Sequence, residues 1–311
     1  MKITGVLCCG NIVFDIAVWP VDNFDWNTTT WVETISEGIG GNGANTSWCL
    51  AKLGVPVRLI SVLGSDARGG RVLEILSEAG VDVSSVSRSA ELPTPSTAVL
   101  IDRGGDRKFL HRPGASRELS GAAVQIPHDP AISHFHLANP FAFPVLRMEA
   151  AEVMKRAKDA GLTTSIDTGW DSKGRWIVDL GPSLPYTDLL FVNDAEARML
   201  GSSDDLPTAV ASLQALGASD VIVKTGARGC TIYTAEAIED VPGYAVDAID
   251  STGAGDSFVA GFLAGLQRNW CFRESAAFAN AVGALNVQKI GACAGACTFD
   301  ETVAWMRSRL G

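Results

Sequence analysis

The stretch Asp250-Ser-Thr-Gly-Ala-Gly-Asp-Ser-Phe-Val-Ala-Gly-Phe-Leu263 decides the interpretation of this chain. Three small residues precede a carboxylate, and an apolar run follows at once, which predicts a helix over about 256–268. The first turn of a helix has backbone N–H groups without internal partners, and its dipole attracts negative charge. The small residues allow a charged oxygen to approach that backbone closely. The pattern therefore predicts an anion site with a carboxylate beside it.

Asp256 is the candidate base at this site. An anion site next to a base is the arrangement that transfer of a phosphoryl group onto a hydroxyl requires. A carboxylate at a helix N-terminus should stay ionised at neutral pH, which would make it a modest base that accepts its proton late. The alternative interpretation is a helix cap, a frequent role for aspartate.

Composition limits the classes of function. The chain has 311 residues, of which 47% are hydrophobic, enough for a sizeable core. A formal net charge of −10 argues against non-specific binding to nucleic acid or to anionic membranes. The seven cysteines form no disulfide or zinc pattern, and no apolar run approaches the ~20 residues of a membrane span. We expect no nucleic-acid partner, no membrane partner and a cytoplasmic location.

Strands and helices alternate along most of the chain. The expected strands are 3–9, 30–37, 57–63, 134–137, 163–167, 189–192, 221–224 and 231–233, the last of which begins a short hairpin. The expected helices end at about 53, 79, 160, 200, 216, 268, 287 and 309. This alternation predicts a three-layer α/β/α sandwich with a mainly parallel central sheet.

A more polar region interrupts that pattern. Residues 96–101 and 108–110 predict a β-hairpin around a turn over 102–106. We expect a small β-sheet lid formed by about 12–37 and 96–112. No linker-like segment divides the chain, so residues 1–311 are expected to form one domain with this lid.

The motifs together resemble those of the ribokinase-like sugar and nucleoside kinases, the PfkB carbohydrate kinase family. The stretch 250–263 is similar to the C-terminal signature of that family, and Gly40-Gly-Asn-Gly-Ala-Asn45 is similar to the N-terminal one. Gly10 with Asp15, and Asn193-Asp-Ala-Glu196, match two further motifs in the expected order. The resemblance implies the ribokinase-like fold and ATP-dependent transfer of the γ-phosphoryl group to a hydroxyl, preferably primary, of a small sugar. It also implies Mg²⁺ and, as in some relatives, a homodimer formed through the lid.

The resemblance assigns roles to matching positions. It implies Asp256 as the catalytic base, with Gly253, Ala254 and Gly255 as the anion hole. The acceptor would be bound by Asp15, Gly40, Gly41 and Asn45. ATP would be bound by Asn193, Glu196, Lys224, Thr225, Gly226, Gly229 and Asn280, with Glu196 also placing Mg²⁺ through water. A monovalent cation, potassium, would lie at Asp250, Thr252, Asn286, Lys289, Gly291 and Gly295, although Gly295 stands where ribokinases commonly have serine and Lys289 could compete for the site.

Several alternatives remain open at this point. Gly38-x-Gly40-x-x-Gly43 also fits the dinucleotide fingerprint of a dehydrogenase, but it follows a second, polar strand and lacks a well-placed acidic partner. His134-x-His136 places two imidazoles on one face without a third ligand for a metal. Within the resemblance, the acceptor could be a nucleoside, or the chain could be a non-catalytic sugar- or nucleotide-binding regulator. The segment 167–171 departs from the Asp-x-Asn-x-Arg pattern of several ketosugar-acid kinases.

Overall fold

The structure is a computed structural model that describes residues 3–104 and 106–309, so Gly105 of the expected 102–106 turn lies outside the described residues. The strands are β1 (Gly5–Gly10), β2 (Val13–Trp19), β3 (Thr34–Gly40), β4 (Val57–Gly64), β5 (Val86–Ser89), β6 (Ser96–Ile101), β7 (Arg107–Arg112), β8 (Ile132–Ala138), β9 (Thr163–Asp167), β10 (Leu189–Asn193), β11 (Asp220–Lys224), β12 (Gly229–Tyr233) and β13 (Ile238–Pro242). The α-helices are α1 (Asn42–Lys52), α2 (Ala67–Glu78), α3 (Leu146–Asp159), α4 (Trp176–Leu180), α5 (Asp194–Gly201), α6 (Leu206–Ala215), α7 (Ala254–Leu266), α8 (Phe272–Asn286) and α9 (Phe299–Arg307).

Nine strands form the main sheet, in the order β13-β12-β11-β10-β9-β8-β1-β4-β5. The strands from β11 to β5 pair in parallel, and β12 and β13 add an antiparallel end. Side chains of β1 alternate between two cores: Val6 and Cys8 pack with α1, α2, α7 and α8, and Leu7 and Cys9 pack with α3, α5 and α6. Helices therefore cover both faces, and the predicted three-layer fold is confirmed.

Strand β5 was not predicted, and two strands were expected without bounds: β2 within the lid over 12–37, and β13 as the second strand of the hairpin that begins at 231–233. Strand β5 has four residues and β13 is mostly exposed, so neither carries the continuous apolar pattern of a buried strand. Helix α2 begins at Ala67, whereas the sequence predicts a start at about Gly70, because the Asp66 carboxylate accepts a hydrogen bond from the Gly69 N–H and so caps the helix.

A second, small sheet has the order β3-β2-β6-β7. Its central pair, β2 and β6, is parallel, and the two outer pairings are antiparallel. Strand β7 is almost wholly exposed, and most of β3 is exposed too. The small sheet is joined to the main body where β3 ends at Gly40 and α1 begins at Asn42.

The topology collects polar residues at one edge of the main sheet. Asp167, Asn193 and Lys224 are the last residues of the neighbouring parallel strands β9, β10 and β11, and Asn139 directly follows β8. Ligands of open α/β sheets bind in the crevice outside these carboxyl ends. In the described part of the chain, no helix has both the length and the apolar character needed to cross a bilayer.

Candidate active site

Helix α7 begins on a glycine turn. Gly253 is its N-cap with φ 70°, and a Cβ there would lie 2.1 Å from the carbonyl oxygen of Ala292. Only glycine fits this position, because both the backbone conformation and the close carbonyl exclude a side chain. The turn places residues 253–255 at the positive end of the helix dipole.

The Asp256 carboxylate lies in the first turn of α7 and is held from both sides. Its Oδ1 accepts a hydrogen bond from Asn42 Nδ2 and its Oδ2 accepts one from Asn45 Nδ2, each at 2.8 Å. Asn42 and Asn45 lie three residues apart in the first turn of α1 and therefore on the same face of that helix. This contact joins the two glycine-rich segments of the chain at one carboxylate.

Burial changes the ionisation that the sequence predicted for Asp256. Burial, followed by the negative charge of Asp167, raises the pKa of Asp256 to about 7, against the opposing effects of Asn45, Lys224 and Asn42. The expectation of a carboxylate kept fully ionised by the helix dipole is therefore wrong, because desolvation outweighs the dipole. A pKa close to neutral suits a general base.

A third asparagine extends this hydrogen-bonded chain. Asn139 Nδ2 donates to Asn42 Oδ1 at 2.9 Å, which turns the amide N–H₂ of Asn42 toward Asp256. Asn139 Oδ1 is buried and has no hydrogen-bond partner. Neither Asn42 nor Asn139 was predicted from the sequence as a site residue. The three-residue spacing from Asn45 could have indicated Asn42, and the position just after a buried strand was the available signal for Asn139.

The residues predicted to bind the acceptor substrate lie together, next to the hydrogen-bonded row of Asn139, Asn42 and Asp256. Asp15 of β2 lies over Gly40 of β3 so closely that a Cβ on Gly40 would be 2.0 Å from Asp15 Oδ2. Gly41 is the N-cap of α1, one residue before Asn42. Burial raises the pKa of Asp15 to about 6, with the Thr97 hydroxyl acting in the opposite direction. The small sheet thus places the Asp15 carboxylate close to the N-terminus of α1, the helix whose Asn42 and Asn45 bind Asp256.

A second group of charges lies at the ends of β9 to β11. Lys224 Nζ is 2.6 Å from Asp167 Oδ1, and both side chains are largely buried. Burial acts to lower the pKa of Lys224, but the negative charges of Asp167 and Glu196 outweigh it and raise that pKa. Burial raises the pKa of Glu196, which Lys224 opposes. Lys224 is therefore ion-paired with Asp167 and lies in the field of two further carboxylates, Glu196 and Asp256. Asp167 is a site residue that was not predicted from the sequence.

Asn193 and Glu196 form a capping box at the start of α5. Asn193 Oδ1 accepts from the Glu196 N–H at 2.8 Å, and Glu196 Oε2 accepts from the Asn193 N–H at 2.9 Å and from the Thr168 hydroxyl at 3.2 Å. This reciprocal pair fixes the Glu196 carboxylate beside Lys224 and Asp167.

The other residues predicted to bind the nucleotide lie in two places, the turn after β11 and helix α8. Thr225, Gly226 and Gly229 form the turn directly after Lys224, where the Thr225 N–H donates to the Gly229 carbonyl at 2.9 Å. Asn280 of α8 is buried and donates to the carbonyls of Val241 and Pro242, each at 3.1 Å. Both amide hydrogens of Asn280 are therefore used within the protein, which leaves only its Oδ1 for a ligand.

Five of the six predicted cation positions come together beside the anion hole. Asp250 accepts hydrogen bonds from the N–H groups of Thr252 (2.7 Å) and Gly291 (2.8 Å). Asn286 lies next to them and accepts a hydrogen bond from the Gly295 N–H at 3.4 Å. Lys289 is exposed.

The two strand histidines belong to the core. His134 and His136 each lie 2.7 Å from the Ser165 hydroxyl, and burial lowers the pKa of both to about 3. They are neutral residues within a hydrogen-bonded core. Within residues 3–104 and 106–309, no group of three or more histidine, cysteine, aspartate or glutamate side chains could hold a metal ion by itself.

Comparison with known proteins identifies the family. Residues 4–298 match the model of the pfkB family carbohydrate kinases. The chain belongs to the PfkB family. This PfkB kinase is 30% identical over 287 residues to a "probable fructokinase-5" of Arabidopsis thaliana, covering 87% of the chain and 88% of the relative. It is 29% identical over 310 residues to an ATP-dependent ribose-1-phosphate kinase of Halopiger xanaduensis, covering 94% and 99%.

Solved structures agree with this assignment. A putative ribokinase II of E. coli in complex with ATP and Mg²⁺ has a TM-score of 0.88 at 25% identity, covering 98% of this chain and 99% of that one. An Arabidopsis thaliana ribokinase complexed with ribose and ATP has a TM-score of 0.86 at 25% identity, with the same coverage. The predicted family and the predicted ribokinase-like fold are confirmed, and the dehydrogenase interpretation is excluded. The protein is an ATP-dependent phosphotransferase that belongs to this family of sugar and nucleoside kinases.

Proposed function

We propose that this kinase transfers the γ-phosphoryl group of ATP to a hydroxyl, preferably a primary one, of a small sugar, with Asp256 as the general base. The observation that carries this proposal is the Asp256 carboxylate, held between Asn42 and Asn45 at the N-terminus of α7 and buried beside Lys224. The relatives include kinases of fructose, of ribose 1-phosphate and of nucleosides, so they support the reaction without naming the acceptor.

The acceptor would be oriented by polar groups from both sheets. The Asp15 carboxylate over Gly40 offers hydrogen-bond acceptors to sugar hydroxyls, Gly40 and Gly41 allow a polyol to approach the backbone, and Asn45 adds an amide. Asn45 also donates to Asp256, so the reacting hydroxyl and the base would share one positioning residue. Asp256 would accept the proton of that hydroxyl as the phosphoryl group arrives.

The charge of the transferred group would be stabilised by the backbone and by a buried cation. The backbone of Gly253, Ala254 and Gly255 lies at the N-terminus of α7, as that of an anion hole does. The Ala254 N–H donates to the Ser251 carbonyl at 3.2 Å, so the N–H groups of Gly253 and Gly255 are the ones proposed to face the phosphoryl group. Lys224, fixed by Asp167 at 2.6 Å, supplies a positive charge close to Gly255. Thr225, Gly226, Gly229 and Asn280 are proposed to bind the rest of the nucleotide.

Magnesium fits the charge distribution of this edge of the sheet. Lys224 pairs with Asp167, and the charges of Glu196 and Asp256 also act on it. The raised pKa of Glu196 reflects its burial, to which the negative charge of Asp167 adds. Glu196 and Asp167 are the oxygen donors that would hold the ion, directly or through water, together with the nucleotide phosphates. When bound, the ion neutralises charge on the phosphates that these carboxylates would otherwise repel.

The small sheet is proposed to act as a lid and as a dimer contact. As a lid it would exclude water from the acceptor and so suppress hydrolysis of ATP. Its long β2–β3 connection exposes Trp26 (82%) and Trp31 (89%), and its strands expose Ile35, Phe109 and Leu110. Exposed apolar groups of this size are typical of interaction surfaces. Sedimentation of the wild type and of Trp31→Glu tests the contact: we expect a dimer that the substitution weakens, and a monomeric wild type would contradict it.

A nucleoside is the second candidate acceptor. Trp170 follows β9 in the loop whose Gly169 packs against Asn139, and its indole is exposed and stacks edge-on against Trp176. An exposed indole at the edge of the site offers a face on which a base can stack. A nucleoside kinase of Methanothermobacter thermautotrophicus is 28% identical to this chain over 287 residues.

A screen for ADP release over sugars and nucleosides, with Mg²⁺ present, tests the proposed function. We expect acceptor-dependent ADP release with at least one small sugar and a phosphomonoester product in the ³¹P NMR spectrum. Release with nucleosides alone would favour the second candidate. ATP binding with no acceptor-dependent turnover across both classes would contradict catalysis and favour a regulatory protein.

A further inference from the structure

Arg107 reaches from the small sheet to the turn that leads into the anion hole. Its Nη2 lies 2.7 Å from Asp250 Oδ1, and its Nη1 donates a hydrogen bond to the Thr252 hydroxyl. The Arg107 side chain is only 15% exposed and that of Asp250 only 6%, so the ion pair is buried. Arg107 is the first residue of β7, so this pair is a charged link between the small sheet and the segment just before Gly253.

The Arg107 guanidinium supplies the positive charge that the family resemblance implied for a potassium ion. The two Asp250 carboxylate oxygens already accept from Arg107, Thr252 N–H and Gly291 N–H. Burial acts to raise the pKa of Asp250, but these hydrogen bonds and the charge of Arg107 lower it below its usual range. A monovalent cation at this carboxylate would have to compete with a buried, hydrogen-bonded arginine.

The neighbouring carbonyl oxygens are paired as well. Asn286 Nδ2 donates to the carbonyls of Thr252 and Ala292, each at 3.0 Å, and Asn286 is fully buried. Backbone carbonyls are the ligands that such an ion would need here, because Gly291 and Gly295 offer no side-chain oxygen. With Arg107 in place, the residues present therefore do not fit the expected potassium site. Each of these carbonyl oxygens keeps a second lone pair, so removal of the arginine is what would open the site to the ion.

We propose that Arg107 replaces the monovalent cation and makes this kinase independent of potassium. Arginine is always charged, so it supplies a permanent positive charge beside Thr252 whatever the salt composition. Because β7 carries the arginine, the charge is in place only when the small sheet lies against the main body. Arg107 is thus a positioning residue for the anion hole. This inference rests on the proposed phosphoryl transfer, since it concerns the same turn.

The cation dependence of the wild type is the first test. Turnover is measured in potassium, sodium and tetramethylammonium chloride at equal ionic strength, so that general screening is constant. We expect the three rates to agree within about twofold. A clear requirement for potassium in the wild type would overturn the proposal.

Arg107→Ala provides the complementary test. In tetramethylammonium we expect a loss of about tenfold to a hundredfold in kcat, as a misplaced anion hole produces, and partial recovery on addition of potassium, which then finds a free Asp250. The matched control is Arg103→Ala on the same hairpin, where Arg103 is 58% exposed and pairs with Asp22 and Glu33 inside the small-sheet region. The control should keep wild-type turnover and cation response. An Arg107→Ala variant with wild-type kcat would overturn the proposal.

A thermal readout separates this proposal from the proposed function. The Tm of the wild type should be the same in potassium and tetramethylammonium chloride, whereas potassium should raise the Tm of Arg107→Ala. These comparisons hold even if no acceptor is found, in which case the proposed function fails and the cation proposal is still decided. If Arg107→Ala does not fold, the wild-type Tm and rates in the three salts decide it alone.

Discussion

Removing the Asn42 amide should shift the pH dependence of this kinase to higher pH. Asn42 Nδ2 donates to Asp256 Oδ1 at 2.8 Å and stabilises the ionised carboxylate. A hydrogen bond to a charged group is worth about 1.5–3 kcal/mol. One pKa unit corresponds to about 1.36 kcal/mol, so Asn42→Ala should raise the pKa of Asp256 by about 1 to 2 pH units. Starting from about 7, the new value is about 8 to 9.

The sign of the effect on rate follows from the role of Asp256 as a base. Only the ionised carboxylate accepts a proton, so kcat/KM rises with pH through the pKa of the free enzyme. In the wild type about half of the Asp256 groups are ionised at pH 7, since the pKa is about 7. In Asn42→Ala roughly 1–10% would be ionised at that pH, which predicts a loss of about five- to fiftyfold that disappears at high pH.

The assay is kcat/KM measured with the coupled ADP-release reaction from about pH 5.5 to 9.5. Asn139→Ala is a graded companion variant: it keeps Asn42 but removes the donor that orients its amide, so we expect a smaller shift in the same direction. An Asn42→Ala profile with the wild-type midpoint and a uniform loss at every pH would refute the reasoning. Asn42 would then act on the substrate and not on the base.

Two further substitutions test the anion hole and the core. Gly253→Ala should lower kcat by about a hundredfold or more, because the N-terminus of α7 cannot keep its geometry. The control is Gly70→Ala, whose added methyl group meets no atom within 4 Å. A wild-type kcat in Gly253→Ala would contradict the role given to the Gly253 turn. Arg147→Met should lower the free energy of unfolding in urea by about 3–5 kcal/mol, because it leaves the buried Asp171 carboxylate without its paired cation and Asp179 with Arg175 alone. A loss below about 1 kcal/mol would show that the ion pairs contribute little net stability.

The sequence was most informative where the residues of the site lie close together along the chain. The segment around Asp256 and the one around Asn45 each combine glycines, a polar group and the start of a helix, so their local structure could be predicted from spacing alone. Their contact could not, because it depends on how α1 packs against α7. The alternation of strands and helices likewise predicted the layers, but not the short strand β5 or the bounds of the exposed strand β13.

Apart from Asn42, which lies within the 40–45 motif, the residues that were missed are contributed by distant parts of the chain. Asp167 and Asn139 lie at the ends of neighbouring strands, and Arg107 reaches its partner Asp250 across a separation of more than a hundred residues. Their roles depend on tertiary contacts that no local pattern records. The pKa of Asp256 shows the same limit: the helix dipole is visible in the sequence, whereas the burial that outweighs it is not.

The most direct test of the central claim is the turnover of Asp256→Asn with the best acceptor from the screen, alongside its affinity for ATP. We expect Asp256→Asn to be folded, to bind ATP as the wild type does and to lose turnover by about 10²- to 10⁴-fold, the contribution of a general base. Turnover within about tenfold of the wild type, with the fold and ATP affinity intact, would contradict the assignment of Asp256 as the base.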